Sequence, residues 1–285
     1  MTEGTIFVGV DGDSNFRGAV YLFSQNSEGF YKKLQKIIAS DGIDGDQFGF
    51  TLGAFGNTLV IGSVGDKRGG AAYFFELDST GVWKEVQKVV GNRETTQKDG
   101  FAFSFAITSD EVMIGAPREN LKIGAVYIFS HIAEGWWNQT EKLTAKDQFK
   151  GDKFGFSLDV SGDNLVVGAM LDNNHRGQNV GAAYVFTRGA GEGWKETQKL
   201  IGDDLLADDQ FGFSVAMFNN TIIVGANRED HGSYIDVGAA YLFSRDGYGQ
   251  WFQKKKIVSA DGESNALFGK SLAINQNVII ISAIG

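Results

Sequence analysis

Cysteine is absent from this 285-residue sequence, and proline occurs only once, at Pro117. A chain without thiols has no disulfide framework, no thiolate metal site and no cysteine-based redox chemistry. Histidine is also scarce. His131, His175 and His231 are scattered and share no repeating spacing with acidic residues, which disfavours a zinc site or histidine catalysis. Motifs for a serine nucleophile elbow, a phosphate loop or a zinc protease do not occur.

Long apolar runs are lacking as well. The longest, around Val278–Ile281, is far shorter than the roughly 20 apolar residues of a membrane-spanning helix. The first four residues have neither a basic start nor an apolar core, so we expect no signal peptide within this sequence. The formal net charge is −9, whereas nucleic acids and anionic membranes attract clustered lysine and arginine. We therefore expect no nucleic acid partner and no membrane insertion.

What the sequence does contain is a repeat. A phenylalanine followed by a small residue and, in four copies, by a second phenylalanine returns five times, with copies 53, 53, 57 and 57 residues apart. We call the first phenylalanine of each copy the opener. The openers are Phe48, Phe101, Phe154, Phe211 and Phe268. A fixed period of about this length is typical of repeat architectures, in which loops assemble a binding surface.

The unit that begins at Phe154 shows the pattern of four short strands, with period-two alternation or short apolar runs broken by turn residues. The predicted strands are Phe154–Val160, Asn164–Gly168, Gly181–Phe186 and Trp194–Leu200. We number them one to four within every repeat. No segment has the pattern of a long amphipathic helix.

The other units match this one position by position. A turn pair follows strand one, a tyrosine lies in strand three, and strand four carries an aromatic residue five positions before a lysine. The turn pairs are Gly56-Asn57, Ser109-Asp110, Gly162-Asp163, Asn219-Asn220 and Gln276-Asn277. The tyrosines are Tyr21, Tyr73, Tyr127, Tyr184 and Tyr241, and the strand-four pairs are Tyr31/Lys36, Trp83/Lys88, Trp137/Lys142, Trp194/Lys199 and Trp251/Lys256.

Four short antiparallel strands in each of five visible repeats predict an all-β fold, a β-propeller of four-stranded antiparallel blades. We expect one domain spanning residues 1–285. Aromatic side chains at fixed strand positions are expected to pack blade on blade rather than to stack on sugars. The strand-four lysines are expected to be solvated edge residues that discourage pairing between molecules.

The openers, the strand-two sequences such as Val166-Val167-Gly168-Ala169, and Gly115-Ala116-Pro117 resemble the FG-GAP repeat of integrin α-subunit propellers and of microbial surface proteins. The approach to each opener, such as Asp147 and Asp152 before Phe154, is similar to the microbial branch. The resemblance covers essentially the whole chain. It implies a β-propeller with roles in protein binding and cell adhesion, and an extracellular or cell-surface location.

Strand two occurs six times in the sequence, whereas strands one, three and four occur five times each. Two interpretations remain open. The sequence is either a stretch of a longer propeller, for which the integrin resemblance implies seven blades, or a five-bladed ring that closes with one terminal strand displaced.

Alternating strand direction puts the two-to-three and four-to-one connections at one end of each blade, and these connections hold most of the sequence variation. Variable loops on a rigid scaffold are where recognition usually occurs. The sequence therefore predicts a ligand-binding face there. Its candidate residues are Asp66, Arg68, Arg118, Glu119, Asn120, Asp172, Asn173, His175, Arg176, Arg228, Asp230, His231 and Tyr234.

Acidic residues recur seven and two positions before the openers. As calcium ligands, the weak candidates are Asp41, Asp46, Asp147, Asp152, Asp204 and Asp209. Recurrence in every blade instead favours a structural role, in which the carboxylates accept backbone N–H bonds. Calcium-binding integrin blades carry an acidic loop between strands one and two, but that connection is here a two-residue turn. The resemblance therefore transfers no calcium site, and Asp11–Asn15 only superficially resembles a calcium loop. We expect no cofactor.

Three functions remain after these exclusions. The leading hypothesis is a non-catalytic scaffold that binds a protein ligand through the variable loop face. The alternatives are a lectin-like propeller that binds a glycan, and an accessory domain of a larger enzyme. No pair of residues indicates general acid and base catalysis, so the chain is not expected to be an enzyme.

Overall fold

The structure is a computed structural model that describes residues 4–91, 99–133, 135–189 and 191–284. It is built almost entirely of antiparallel strands, as the sequence predicts. The chain divides into two compact units, Met1–Glu119 with Tyr127–Lys142, and Asn120–Val126 with Leu143–Gly285. No described helix is long and apolar enough to cross a membrane.

The first unit contains three sheets, and one of them has three strands. Its strands are β1 (Thr5–Val10), β2 (Ala19–Gln25) and β3 (Tyr31–Ile37). The next sheet consists of β4 (Phe48–Phe55), β5 (Thr58–Ser63), β6 (Ala71–Leu77) and β7 (Trp83–Val90). The third consists of β8 (Ser104–Ile107), β9 (Glu111–Ala116), β10 (Ala125–Ala133) and β11 (Trp136–Leu143), whose β10 and β11 each extend in part into the second unit.

The second unit contains two four-stranded sheets and one two-stranded sheet. The first is β12 (Phe154–Ser161), β13 (Asn164–Ala169), β14 (Ala182–Arg188) and β15 (Trp194–Leu200). The second is β16 (Phe211–Phe218), β17 (Thr221–Ala226), β18 (Ala239–Arg245) and β19 (Trp251–Ile257). The last pairs β20 (Leu272–Ile274) with β21 (Ile279–Ile281).

These strands confirm the predicted repeat. Strand two occurs as β1, β5, β9, β13, β17 and β21 in the described part of the chain, and the other three types occur five times each. The strand one–two connections are two-residue turns, because the flanking residues pair directly, as Ser161 does with Asn164. Even where the strands end early, Thr108 N–H donates to the Glu111 carbonyl at 2.9 Å across Ser109-Asp110.

Two openers depart from the prediction. Phe101 and Phe268 precede β8 and β20 by three and four residues instead of beginning these strands. At the first of these sites Ala102 replaces the usual glycine and has a φ of 66°, a left-handed conformation that disfavours a side chain. Two short helical turns, α1 (Asp13–Phe16) and α2 (Glu119–Lys122), lie in strand two–three connections and also contain left-handed residues.

Each opener ties its blade to the preceding one through the backbone. The N–H of Phe211 donates to the carbonyl of Val180 at 2.9 Å, and Gly181 pairs with Phe211 in an isolated parallel bridge. The corresponding bonds join Phe48 to Arg17, Phe101 to Gly69, Phe154 to Ile123 and Phe268 to Val237. The opener ring meets the strand-three tyrosine edge-on, with 5.5 Å between the centroids of Phe211 and Tyr241.

The core between neighbouring blades confirms the predicted packing of the aromatic residues. In the second unit, Val166 and Val185 of one blade pack in a single buried cluster with Val224, Tyr241 and Trp251 of the next. Burying each large side chain of this kind stabilises the fold by roughly 1.5–3 kcal/mol, so a blade is stable mainly in company with its neighbour.

We expect Gly225→Ala to destabilise the second unit by about 3 kcal/mol, because overpacking forces the backbone to move. A Cβ at Gly225 would lie 2.1 Å from the backbone oxygen of Gly269 in the next blade. The measurement is the free energy of unfolding in urea. Gly247→Ala is the matched control, since a Cβ there meets nothing within 4 Å. Equal unfolding free energies for the two variants would contradict the close approach of the blades.

Candidate functional site

The first candidate is a charged cluster at the loop end of the blade β12–β15. The hydroxyl of Tyr184 lies within hydrogen-bonding distance of both Asp147, at 2.8 Å, and Asp172, at 2.7 Å. The ammonium of Lys199 bonds to the same two carboxylates at 2.7 and 2.9 Å and lies 5.1 Å from the centre of the tyrosine ring. Two carboxylates, a phenol and an ammonium thus bond to one another, and the second carboxylate oxygen of Asp172 is buried with no hydrogen-bond partner among the described residues.

The same cluster recurs across the blades. Asp41 and Asp66 surround Lys88 and Tyr73, and Asp204 and Glu229 surround Lys256, with Asp204 also accepting from Tyr241. In the third sheet Glu119 contacts Tyr127 and Lys142, and in the first sheet Asp13 contacts Tyr21 and Lys36. Glu94, the corresponding acidic position of the third sheet, lies outside the described residues.

This cluster corrects the prediction for the strand-four lysines. They are not free solvated side chains, because each bonds to a carboxylate. Lys88 and Lys199 are only 14% and 22% exposed, whereas Lys36 and Lys142 are 38% and 40% exposed. Each of these lysines has a carboxylate partner in the connection after strand two. The prediction was wrong because this carboxylate was not recognised as part of the repeat. It lies four residues after the strand-two glycine in every blade, at Asp13, Asp66, Glu119, Asp172 and Glu229, and this spacing was the available signal.

The pKa shifts show that hydrogen bonds and ion pairs outweigh burial for Lys199 and Asp147. Burial disfavours the ammonium of Lys199, but its hydrogen bonds to Asp147 and Asp172 outweigh burial and raise the lysine pKa. Burial likewise favours the neutral acid at Asp147, yet Lys199 and Tyr184 lower its pKa overall. The phenol pKa of Tyr184 rises, because burial and the neighbouring carboxylates both oppose the phenolate. Lys199 and Asp147 are therefore held in their charged forms as an ion pair.

The acidic residues two positions before the openers have the structural role that the sequence favoured. One carboxylate oxygen of Asp152 accepts the N–H of Phe149 at 2.5 Å, and Asp209 accepts that of Leu206 at 2.7 Å. Asp46 accepts the N–H of Ile43 at 2.9 Å. Burial is the largest cause that raises the pKa of Asp152 and of Asp209 to about 6.

Metal binding gains no support from these side chains. Within the described ranges, no group of three or more histidine or acidic side chains is arranged to hold a metal ion. Asp13, in the segment that resembles the start of a calcium loop, is engaged by Tyr21 at 2.6 Å and by Lys36 at 2.9 Å.

Four residues of the predicted ligand-binding face belong to these internal clusters. Asp66, Glu119 and Asp172 are buried, and Arg68 bonds to Asp66 at 2.8 Å. We therefore correct the sequence prediction and leave these four out of the candidate surface. Arg118 and Asn120 are exposed on the connection between β9 and β10, and Arg228 is exposed on the connection between β17 and β18. Arg118 lies 6.0 Å from the ring centre of Phe103.

The remaining candidates lie on two loops with one backbone framework. Loop A comprises residues 170–181, between β13 and β14, and loop B comprises residues 227–238, between β17 and β18. Asn174 and Gly177 exchange backbone hydrogen bonds in loop A, as His231 and Tyr234 do in loop B. Both tips are therefore closed by the same small antiparallel bridge.

Further bonds of the framework also match. A side-chain oxygen of Asn173 accepts the N–H of Asn179 at 2.7 Å, and Asp230 accepts that of Asp236 at 2.9 Å. Each loop also bonds through its backbone to the connection that precedes the next opener. The N–H of Asn265 donates to Ile235 at 2.8 Å in loop B, and Asp208 donates to Gln178 at 2.9 Å in loop A. Arg176 is used for support, since its guanidinium donates to the carbonyl of Gly202 at 2.8 Å.

The exposed side chains of the two tips differ. Loop A presents His175, whereas loop B presents Tyr234 and Ile235, which are 52% and 62% exposed. Beside Tyr234 lies a cleft of about 670 Å³. Its other wall is the connection after β19, which contributes Asp261, Glu263 and Ser264. Sequence analysis identified His231 and Tyr234 but missed this wall. Asp261 stands in the repeating acidic position seven residues before an opener, but that pattern does not show that its connection lies beside loop B.

Ser259 fixes one carboxylate of the cleft. Its hydroxyl donates to Asp261 at 2.5 Å and is the main cause that lowers the pKa of this acid. At neutral pH the cleft consequently presents negative charge next to an exposed aromatic ring and an aliphatic side chain.

Comparison with known proteins bears on the whole architecture. Residues 31–75, 137–186, 194–243 and 251–285 match the family model described as the FG-GAP repeat. No curated protein matches the chain in sequence. A structure from Bacteroides uniformis, provisionally named a 6-phosphogluconolactonase, is similar with a TM-score of 0.65 and 11% identity, covering 99% of this chain and 75% of that one.

A second structure, of a protein from Lactobacillus plantarum, has a TM-score of 0.52 and 11% identity, covering 86% of this chain and 67% of that one. At this identity the two likenesses support the propeller fold and nothing about activity.

We expect Lys199→Met to lower the free energy of unfolding by about 3 kcal/mol, because it leaves the buried carboxylate of Asp172 without its counter-charge. Lys195→Met is the matched control on the same strand. Its lysine is 65% exposed and pairs with the exposed Glu192, so the expected loss is below about 0.5 kcal/mol. Chemical denaturation measures both. A loss at Lys199 no larger than at Lys195 would show that the cluster does not stabilise the blade.

We also expect stability to fall as pH rises from about 4 to about 6. The folded pKa of Asp152 and Asp209 lies above the ordinary value of roughly 4, so the folded state binds more protons than the unfolded state in that window. Asn at these positions keeps a carbonyl oxygen for the backbone N–H. The double variant Asp152→Asn/Asp209→Asn should therefore show a shallower decline in unfolding free energy between these pH values. Identical slopes would refute the assignment.

Proposed function

Since the chain belongs to the FG-GAP repeat family, we propose that it is a non-catalytic binding scaffold whose loop B cleft takes a protein ligand. The observation that carries this proposal is the contrast between loops A and B. One backbone framework is built twice, yet the exposed tip residues differ. A scaffold that holds its loops constant and varies their tips is typical of recognition surfaces.

The chemistry of the cleft favours one kind of ligand. Tyr234 supplies a large ring with little conformational freedom to lose. Ile235, its exposed neighbour in the chain, adds apolar surface next to the cleft although it does not line it. The carboxylates of Asp261 and Glu263 complement a lysine or arginine side chain, and the chain as a whole has a net charge of −9. We therefore infer that the ligand is a peptide segment with an apolar residue next to a basic one.

The rest of the blade supports a non-catalytic role. The ionisable side chains of the repeated clusters are paired with one another and serve the fold. Roles in cell adhesion and an extracellular or cell-surface location follow from the family likeness and are part of this proposal.

A glycan is the second candidate for the same cleft. An exposed tyrosine beside two carboxylates also suits a saccharide, whose ring would stack on Tyr234 while its hydroxyls donate to Asp261 and Glu263. The two candidates differ in their dependence on a basic group, which allows them to be separated by experiment.

A displayed library of random peptides, selected on the intact chain, should enrich sequences with neighbouring apolar and basic residues. The double variant Tyr234→Ala/Ile235→Gln should weaken the dissociation constant of the enriched peptides at least tenfold, because it removes the apolar anchors. Gln is the residue that loop A carries at the position of Ile235, so the change suits the shared framework. Calorimetric titration measures the affinity.

His175→Ala is the control, because it removes an exposed side chain from the tip of loop A. It should leave peptide affinity unchanged. Failure to enrich any peptide, or equal binding by the double variant, would overturn the protein-binding proposal. Binding on a glycan array that the double variant abolishes, without any peptide enrichment, would establish the saccharide alternative instead.

A further inference from the structure

A second exposed surface of the second unit combines apolar and basic side chains. It consists of two segments that we call the basic tips. One is Leu121-Lys122, in the connection between β9 and β10, and the other is Phe149-Lys150, in the connection between β11 and β12. The backbone joins the two connections, because the N–H of Lys153 donates to the carbonyl of Lys122 at 2.9 Å. The side chains of Leu121 and Phe149 are both exposed.

The backbone conformation at Leu121 does not suit a leucine. Its φ is 60°, in the left-handed region that L side chains rarely adopt and that asparagine tolerates best. The equivalent position of α1 is indeed an asparagine, Asn15, with a φ of 59°. The fold alone would thus favour a polar residue, and an exposed leucine here indicates a contact outside the chain.

Lysine at positions 122 and 150 is specific to this pair of connections. The residue two positions before the glycine that precedes strand three is Phe16, Arg68, Asn179 or Asp236 in the other pairs, and the residue four positions before the opener is Asp44, Gln97, Ala207 or Ser264. Both lysines are exposed, and no ion pair joins either of them to a described carboxylate. On a chain with a net charge of −9, these two ammonium groups are therefore available to a partner with negative charge.

The loop B cleft has the complementary chemistry. It carries the carboxylates of Asp261 and Glu263 beside the ring of Tyr234. Glu263 lies five residues before its opener, which is the position that Phe149 occupies in the basic tips. The cleft and the tips thus lie at the same loop end of the second unit, one acidic and one basic. An exposed phenylalanine followed by a lysine is also the kind of segment inferred above for the ligand.

We propose that a second copy of this chain occupies the loop B cleft, with Phe149 against Tyr234 and the ammonium of Lys150 on the two carboxylates. Leu121-Lys122 adds apolar and charged contacts to the same interface. This inference rests on the proposed function, because it names the partner of the loop B cleft. Since tip and cleft lie at the same end of the unit, two copies that face each other form the contact twice, and the association closes as a dimer.

Sedimentation equilibrium of the intact chain at rising concentration tests the proposal. The mass should increase to that of a dimer, and added salt should weaken the association. Lys150→Glu and Glu263→Lys should each weaken dimerisation at least tenfold, because like charges then meet in both contacts. Lys67→Glu is the matched control. It reverses an exposed lysine in the strand two–three connection of another blade and should dimerise as the wild type does.

Mixing the two charge-reversal variants gives the sharper test. In a mixed dimer of Lys150→Glu with Glu263→Lys, one contact keeps its original charges and the other has both charges reversed, so both contacts stay attractive. The equimolar mixture should therefore recover most of the wild-type affinity. Both changes affect exposed side chains, and the unfolding midpoint of each variant checks that the fold is intact.

Peptides enriched on the loop B cleft separate this inference from the proposed function. Such a peptide should dissociate the dimer, because both occupy the same cleft. A chain that enriches peptides but stays monomeric at every concentration would keep the proposed function and lose the second copy as its partner. Wild-type dimerisation by both charge-reversal variants, no recovery on mixing them, or a dimer that bound peptide leaves intact would each overturn the inference as well.

Discussion

The close approach of neighbouring blades at the openers is the constraint on which the rest of this structure depends. Each opener donates its N–H to the preceding blade, and the glycine beside that bond leaves no room for a side chain. A Cβ at Gly181 would lie 2.0 Å from the oxygen of Phe211, and one at Gly124 would lie 2.0 Å from that of Phe154. Next to this backbone contact, the opener ring packs edge-on against the strand-three tyrosine of its own blade. Both rings belong to the buried cluster between neighbouring blades.

The same approach brings the charged side chains together. Lys199 lies at the end of strand four, Asp172 follows strand two, and Asp147 belongs to the connection before the opener, so the cluster joins positions up to 52 residues apart. A carboxylate buried alone would be costly, whereas here each one meets an ammonium and a phenol. In the blades that begin at Phe48, Phe154 and Phe211, the cluster links the connection before the opener to strand four of the same blade. The loop end of the blade is thereby rigid enough to carry recognition residues.

Much of the fold could be predicted because it is local and repeated. Turn length, strand alternation and the opener each depend on residues that are close in sequence. Because five copies align in register, chance does not account for these patterns. The carboxylates that bond to Lys199 are distant from it in sequence. Aligning the repeats position by position shows that the lysine recurs but does not show which residues it contacts. Tyr234 could be identified as a candidate from the variable loop that contains it. Its opposite wall at Asp261 and Glu263 could not, because that wall depends on how two connections from different repeats come together.

The change of period from 53 to 57 residues also has a structural meaning. Loops A and B each have 12 residues between their strands, whereas the connection between β9 and β10 has eight, so the four added residues lie in these loops. The inserted residues form an ordered structure. In each loop they include a small antiparallel bridge, Asn174–Gly177 or His231–Tyr234, whose backbone hydrogen bonds close the tip. The added residues therefore leave the blade contacts and the two-residue turns unchanged, and they lie where the exposed side chains of loops A and B differ.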